Sequence, residues 1–133
     1  MRVIIAGSRN IPFDHAIFWI GKAIEESGFM PTEVLSGTAR GVDYAGEVWA
    51  QRRSIPVRRF PTDFKGYGKV LAGRARNLKM AESADGLIAI WNGVSTGTEH
   101  MIETAKRCKL KVFVLDTTTQ AVKPRPHGYP TNP

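Results

Sequence analysis

Apolar residues fall along this chain in two alternating rhythms. Residues 2–6 (RVIIA) form an unbroken run rich in β-branched side chains, the pattern of a strand buried on both faces. After the break Gly7-Ser8-Arg9-Asn10, the residues Phe13, Ile17, Ile20 and Ile24 recur every three or four positions. That spacing predicts a helix over 13–27 with one buried stripe, closed by Gly28. The alternation then repeats. Further strands are predicted at 32–36, 56–60, 87–91 and 111–115, and further helices at 42–53, 71–83 and 98–109. Val42, Ala45, Val48 and Trp49 mark the inner side of the second helix, and Met101, Ile102 and Ala105 that of the last. Residues 61–70, with two glycines and a proline, read as a loop.

Strand and helix in strict alternation require parallel neighbours joined by right-handed crossovers. The predicted fold is therefore α/β: a Rossmann-like, doubly wound, parallel five-stranded sheet with helices on both faces. It occupies residues 1–116. The remainder, 117–133, has four prolines, one glycine and almost no large apolar side chain. It is expected to be a mobile extension, or an arm docking on a second subunit.

Composition narrows the chemistry. With 133 residues, 42% of them hydrophobic, the chain suffices for one domain with its own core. Its single cysteine, Cys108, rules out an internal disulfide and a cysteine-rich metal site. His15, His100 and His127 are scattered, so no metal site is expected. The apolar run at the N-terminus is too short for an export signal or a membrane span, which predicts a soluble, cytoplasmic protein. A net charge of +7 favours anionic partners, a phosphorylated small molecule or nucleic acid, although solubility alone also accounts for such a surplus.

In an open parallel sheet, ligands bind beyond the carboxyl ends of the strands. Three predicted breaks fall at such ends: Gly7-Ser8-Arg9, Gly37-Thr38-Ala39-Arg40-Gly41, and Asn92 to Thr98. Glycines there admit a close-lying ligand, hydroxyls donate to phosphate oxygens, and helix N-termini offer free N–H groups. Neither a P-loop nor a GxGxxG fingerprint is present, so an ordinary NAD dehydrogenase is disfavoured and no cofactor is predicted. Trp91, ending a strand just before the third break, and Tyr67 in the loop are candidates to stack on a base, and packing explains Trp91 equally well. Lys106, Arg107, Lys109 and Lys111 suit a helix C-terminus and read as structural.

Gly7-Ser8-Arg9, Ser36-Gly37 with Gly41-Val42-Asp43, and the stretch from Arg76-Asn77-Leu78-Lys79-Met80 through Ala84-Asp85 to Ser95-Thr96-Gly97-Thr98 resemble the SLOG superfamily. The closest look is to its small YspA-like members. Relatives include the "lonely guy" phosphoribohydrolases and the Rossmann core of the DNA-processing protein DprA. The resemblance covers residues 1–115 and implies the following roles. Ser8 and Arg9 would lie near a ligand phosphate or ribose, while Gly37, Thr38 and Gly41 would shape the second loop. Asp43 would face the cleft, as a ribose ligand or a general base. Arg76 stands where the phosphoribohydrolases keep a catalytic arginine. Ser95-Thr96-Gly97-Thr98 stands in place of their phosphate loop, and Met101 where they carry a glutamate. Glu99, in the first turn of the last helix, is a further candidate acid; Glu103, one turn on, is weaker.

The implied function is binding of a phosphate-bearing nucleotide or nucleotide-derived ligand, as a sensor or as a hydrolase of an N-glycosidic bond. Alternatives are a single-stranded-DNA-binding accessory protein of the DprA type and a nucleoside deoxyribosyltransferase-like enzyme. The resemblance also implies a homo-oligomer, formed through helices.

Overall fold

The computed structural model describes residues 1–63 and 68–121. Five strands, β1 (Arg2–Gly7), β2 (Glu33–Ser36), β3 (Val57–Arg59), β4 (Gly86–Trp91) and β5 (Lys111–Asp116), alternate with four helices. The helices are α1 (Phe13–Ser27), α2 (Val42–Arg52), α3 (Lys69–Glu82) and α4 (Thr96–Arg107). All strand pairs are parallel and the order is β3-β2-β1-β4-β5, as expected of a Rossmann-like doubly wound sheet. No helix among the described residues is long and apolar enough to cross a membrane.

Alternation along the strands builds two cores. Val3 and Ile5 of β1, with Val34, Ile88 and Ile90, pack against Ala16, Trp19 and Ile20 of α1 and Val42, Ala45 and Trp49 of α2. Ile4 and Ala6, with Leu35, Leu87 and Ala89, pack against Met80 and Ala81 of α3 and Met101, Ile102 and Ala105 of α4. The central strands β1 and β4 thus bury both faces, which explains their continuous apolar runs, while edge strand β3 leaves Arg58 and Arg59 exposed. Gly46 brings α2 tight to β1: a Cβ there would meet Ile5 Cγ2 at 2.8 Å.

Four sequence expectations change. Helix α3 starts at Lys69, inside the stretch 61–70 read as a loop. The stripe of α1 is centred on Ala16, Trp19, Ile20 and Ala23, while Phe13, Ile17 and Ile24 pack at its margins. Two small alanines let the helix lie close to the sheet, which a count of large apolar residues overlooks. Val48 is only half-buried, and its place on α2 goes to Ala50. Finally, α4 starts at Thr96, two residues before the expected position. Ser95 is its N-cap, with Oγ accepting the Thr98 N–H at 3.4 Å, so Gly97 is the second residue of the helix and not part of the turn.

At the amino-terminal edge of the sheet, polar groups satisfy one another in the open. Asp85 accepts from the Arg2 backbone N–H at 2.7 Å and from Arg2 Nε and Nη2 at 3.3 and 3.2 Å. These bonds hold the Asp85 carboxyl below its usual range and raise Arg2.

Candidate functional site

The sheet order makes β1 and β4 neighbours whose following helices leave to opposite faces, α1 to one and α4 to the other. Such a divergence opens a crevice at the carboxyl edge. Here it is a cleft of about 500 Å³ whose walls include Ser8, Arg9, Asp43, Arg76, Ser95 and Met101.

The floor joins the two diverging loops. Ser8 is buried; its N–H donates to the Ile90 carbonyl at 3.1 Å, and its Oγ accepts the Asn92 N–H at 3.2 Å. Asn92 Oδ1 in turn accepts from Val94 and Ser95 N–H at 3.0 and 2.9 Å, shaping the turn that carries Gly93 at φ 83°. Trp91 Nε1 donates to the Ser95 carbonyl at 3.0 Å, and the ring packs with the α3–α4 core. Trp91 braces the loop and does not line the cleft. Thr96 and Gly97 are exposed in the first turn of α4 and line the cleft, as does buried Thr98. First-turn N–H groups have no carbonyl partner within their helix and favour an anion there.

Opposite stands a buried carboxyl. Asp43 opens α2, and its Oδ2 accepts the Ala39 N–H at 3.2 Å. Burial pushes its pKa up to about 6, against the opposing pulls of Arg76, the Ala39 and Gly7 backbone N–H groups, and Arg9. Arg76 of α3 donates from Nη1 to the Gly37 carbonyl and, at 3.4 Å, to Thr62 Oγ1; its Nε donates to Asn77 Oδ1 at 3.0 Å. Burial also lowers the Arg76 pKa, with Asp43 acting the other way. Arg9 and Arg40 are exposed on the rim.

The glycines of the second loop act behind this wall. A Cβ on Gly37 would come within 2.5 Å of Arg76 Nη1 and 2.8 Å of Asp43 Oδ2, so only a hydrogen fits between these charged groups. Gly41, at φ 75°, lies against the first loop, where a Cβ would meet the Arg9 and Ser8 carbonyls at 2.7 and 2.9 Å. Gly7 gives α2 room beside β1, for a Cβ there would collide with the Ile90 carbonyl and Val42. Thr38 is exposed at φ 66°, and its N–H donates to Ser36 Oγ at 3.1 Å.

Of the residues expected from sequence, Gly7, Ser8, Arg9, Asp43, Arg76, Ser95, Thr96, Gly97 and Thr98 thus meet at one cleft. Gly37, Thr38, Gly41 and Trp91 are not among the residues lining it, and Glu99 is exposed outside it. Tyr67 lies outside the described residues. Met101 is buried and forms part of the wall.

Two groups of residues went unread in the sequence. Buried Glu47 accepts from Ser36 Oγ at 2.7 Å and from Arg59 Nε at 2.8 Å, tying the end of β2 to α2 and β3. Asn77, also buried, bonds to Arg76 on one side and to His100 Nδ1 at 3.0 Å on the other. A polar residue on the inner side of a helix was the available signal in both cases.

No protein-family model matches the chain, and no curated protein matches it. Among solved structures, the X-ray structure of DNA processing protein A (DprA) from Streptococcus pneumoniae is similar, with a TM-score of 0.67 and 19% sequence identity. The match covers 85% of this chain and 49% of that one, so this chain spans about half the length of that protein. At this identity the likeness is one of fold.

Proposed function

We propose that the cleft binds a phosphate-bearing nucleotide or nucleotide-derived ligand, the phosphate lying against the amino terminus of α4 and the sugar toward Asp43 and Arg76. The observation that carries this reading is the meeting of the Ser95-capped helix start with three arginines, Arg9, Arg40 and Arg76, at the switch point of the sheet. A helix N-terminus and guanidinium groups both favour phosphate, and guanidinium matches it in two parallel hydrogen bonds. A volume of about 500 Å³ lies within the range of small-molecule sites. The resemblance to the SLOG superfamily supports the same placement.

The residues favour sensing over hydrolysis. An apolar side chain, Met101, stands in the wall where the phosphoribohydrolases carry a glutamate, and Glu99 lies outside the cleft. The carboxyl left to activate water is Asp43, with a pKa of about 6. The test is calorimetric titration with inorganic phosphate, adenosine and guanosine monophosphates, NAD and ADP-ribose, each recovered afterwards for mass spectrometry. A ligand bound and recovered intact supports a sensor. Release of free base and sugar phosphate makes Asp43 the acting acid–base.

Nucleic acid is the second reading, favoured by the net charge of +7 and by the fold likeness to a DNA-processing protein. It requires binding of single-stranded DNA that weakens steeply with salt. DNA binding with no response to any of the small ligands would replace the first reading.

A further inference from the structure

Beyond the cleft, a line of hydrogen bonds runs from Arg76 through the seam between α3 and α4. Arg76 Nε donates to Asn77 Oδ1 at 3.0 Å, and Asn77 Nδ2 meets His100 Nδ1 at 3.0 Å. His100 Nε2 then stands 3.5 Å from Thr104 Oγ1, which also accepts from Arg107 Nη2 at 3.3 Å. Chemistry fixes every direction. A guanidinium only donates, so Asn77 must turn its carbonyl to Arg76 and its NH2 to the imidazole. His100 must then accept at Nδ1 and carry its proton on Nε2. Asn77 and Thr104 are 5% and 2% exposed, so water is a poor substitute for either bond.

We infer that Asn77 and His100 are positioning residues for Arg76, and that neutral His100 is the state that keeps the Arg76 guanidinium aimed into the cleft. An imidazolium presents N–H at both nitrogens. Protonated His100 would set N–H against the Asn77 NH2, and turning the amide over would set that NH2 against Arg76 Nε. One of the two bonds is lost either way. The groups around the ring are Arg74 from α3 and Arg107 and Glu103 from α4; burial first, then the two arginines, lowers the His100 pKa, while Glu103 opposes them. The neutral form is therefore the resting form at neutral pH. A guanidinium held at Nε and at Nη1 leaves fewer rotamers to freeze when phosphate arrives.

The effect on ligand rests on the proposed phosphate site, but the positioning does not, and the experiment separates them. Nitrogen NMR of the full chain reads the His100 tautomer and the Arg76 Nε–H signal directly. The expected result is an unprotonated Nδ1, and an Arg76 Nε–H signal that is slowed in exchange and lost when acid titrates His100. Asn77→Asp supplies the sharpest contrast, because a carboxylate accepts from both neighbours. It should keep the Arg76 signal and raise the His100 pKa by at least one unit, which a merely space-filling Asn77 would not do. Binding is read with inorganic phosphate and adenosine monophosphate. His100→Phe should weaken both about tenfold, and His100→Asn, whose carbonyl still accepts, should stay within about threefold of wild type. The His100-dependent part of the pH profile should vanish in His100→Asn, leaving that of Asp43. Wild-type affinity in His100→Phe with an unmoved Arg76 signal would overturn the inference. Failure of wild type to bind either probe would remove the phosphate reading alone, while the Arg76 signal would still decide the positioning.

Discussion

The two ends of the same sheet treat an arginine and an aspartate in opposite ways. At the amino-terminal edge Arg2 and Asp85 spend their hydrogen bonds on each other in open solvent, and the carboxyl is stabilised in its charged form. At the carboxyl edge buried Asp43 and half-buried Arg76 are kept on either side of Gly37 and bonded to backbone and, for Arg76, to Asn77. There the carboxyl is pushed up toward neutrality, because burial outweighs the nearby arginines. Ser8, Ser36, Asp43, Glu47, Asn77 and Thr98 are buried polar residues grouped around this second edge. Buried polar groups cost stability unless paired, and here partners are supplied: Asn92 N–H to Ser8, Glu47 to Ser36, Ala39 N–H to Asp43, and Arg76 and His100 to Asn77.

The contrast can be broken most severely through Gly41. At φ 75° and with the Arg9 carbonyl 2.7 Å from a Cβ position, Gly41→Ala forces two loops apart. A loss of about 3 kcal/mol is expected in urea unfolding, with ligand binding lost as well. Arg76→Ala comes next. On the proposed placement it would remove a charge-assisted hydrogen bond to the ligand, so phosphate or nucleotide binding should weaken tenfold or more by calorimetry; unchanged affinity would take Arg76 out of the site.

Asp43→Asn sharpens the comparison with a sign of its own. The folded-state pKa of about 6 lies above the ordinary 3.8, so the unfolded chain gives up this proton first. Stability from this group therefore falls as pH rises from about 4 to 6, and the cost stays in full above that window. The asparagine variant should be more stable than wild type at pH 7.5, by on the order of 2 kcal/mol, with the gap closing toward pH 4 and ligand affinity reduced throughout. Thermal melts across pH 4–8 check it; a variant less stable than wild type at pH 7.5 would mean that Arg76 and the backbone N–H groups outweigh burial. The smallest effect belongs to Arg2→Ala. Solvent screens that pair, so Tm should move by no more than about 2 °C, and binding should not change. The contribution of Asp85 has the opposite pH sign, present at neutral pH and lost as pH falls through its depressed pKa.

Much of this was legible in the chain. Runs such as residues 2–6 and 87–91 announce strands buried on both sides, and the three breaks after β1, β2 and β4 mark the carboxyl edge. The cleft lies where those breaks meet, and Arg76 and Asp43, which the family resemblance implied for it, line it. Local signals failed where meaning depends on a partner far along the chain. Gly37 and Gly41 were expected to shape the second loop beside a ligand, and what requires glycine there is the room for Arg76, Asp43 and the first loop. For Trp91 the sequence left stacking and packing level, and the indole N–H bound to Ser95 supports packing. Glu99 looked like a candidate acid, and it stands on the exposed side of α4.

Hydrophobic period is a local property of strand and helix, so the number, order and type of the elements can be read along the chain. Strand order, which sets β1 beside β4 and so decides which loops face one another across the cleft, is a property of the folded chain alone. Tertiary structure alone brought Arg76 to Gly37, thirty-nine residues apart in the chain, and Asn77 to His100, twenty-three apart. No pattern in the sequence encodes such pairs. The first arises where α3 packs beside the loop after β2 and the second where α3 and α4 pack on one face of the sheet, and burial then turns a chance of contact into a hydrogen bond that has to be made.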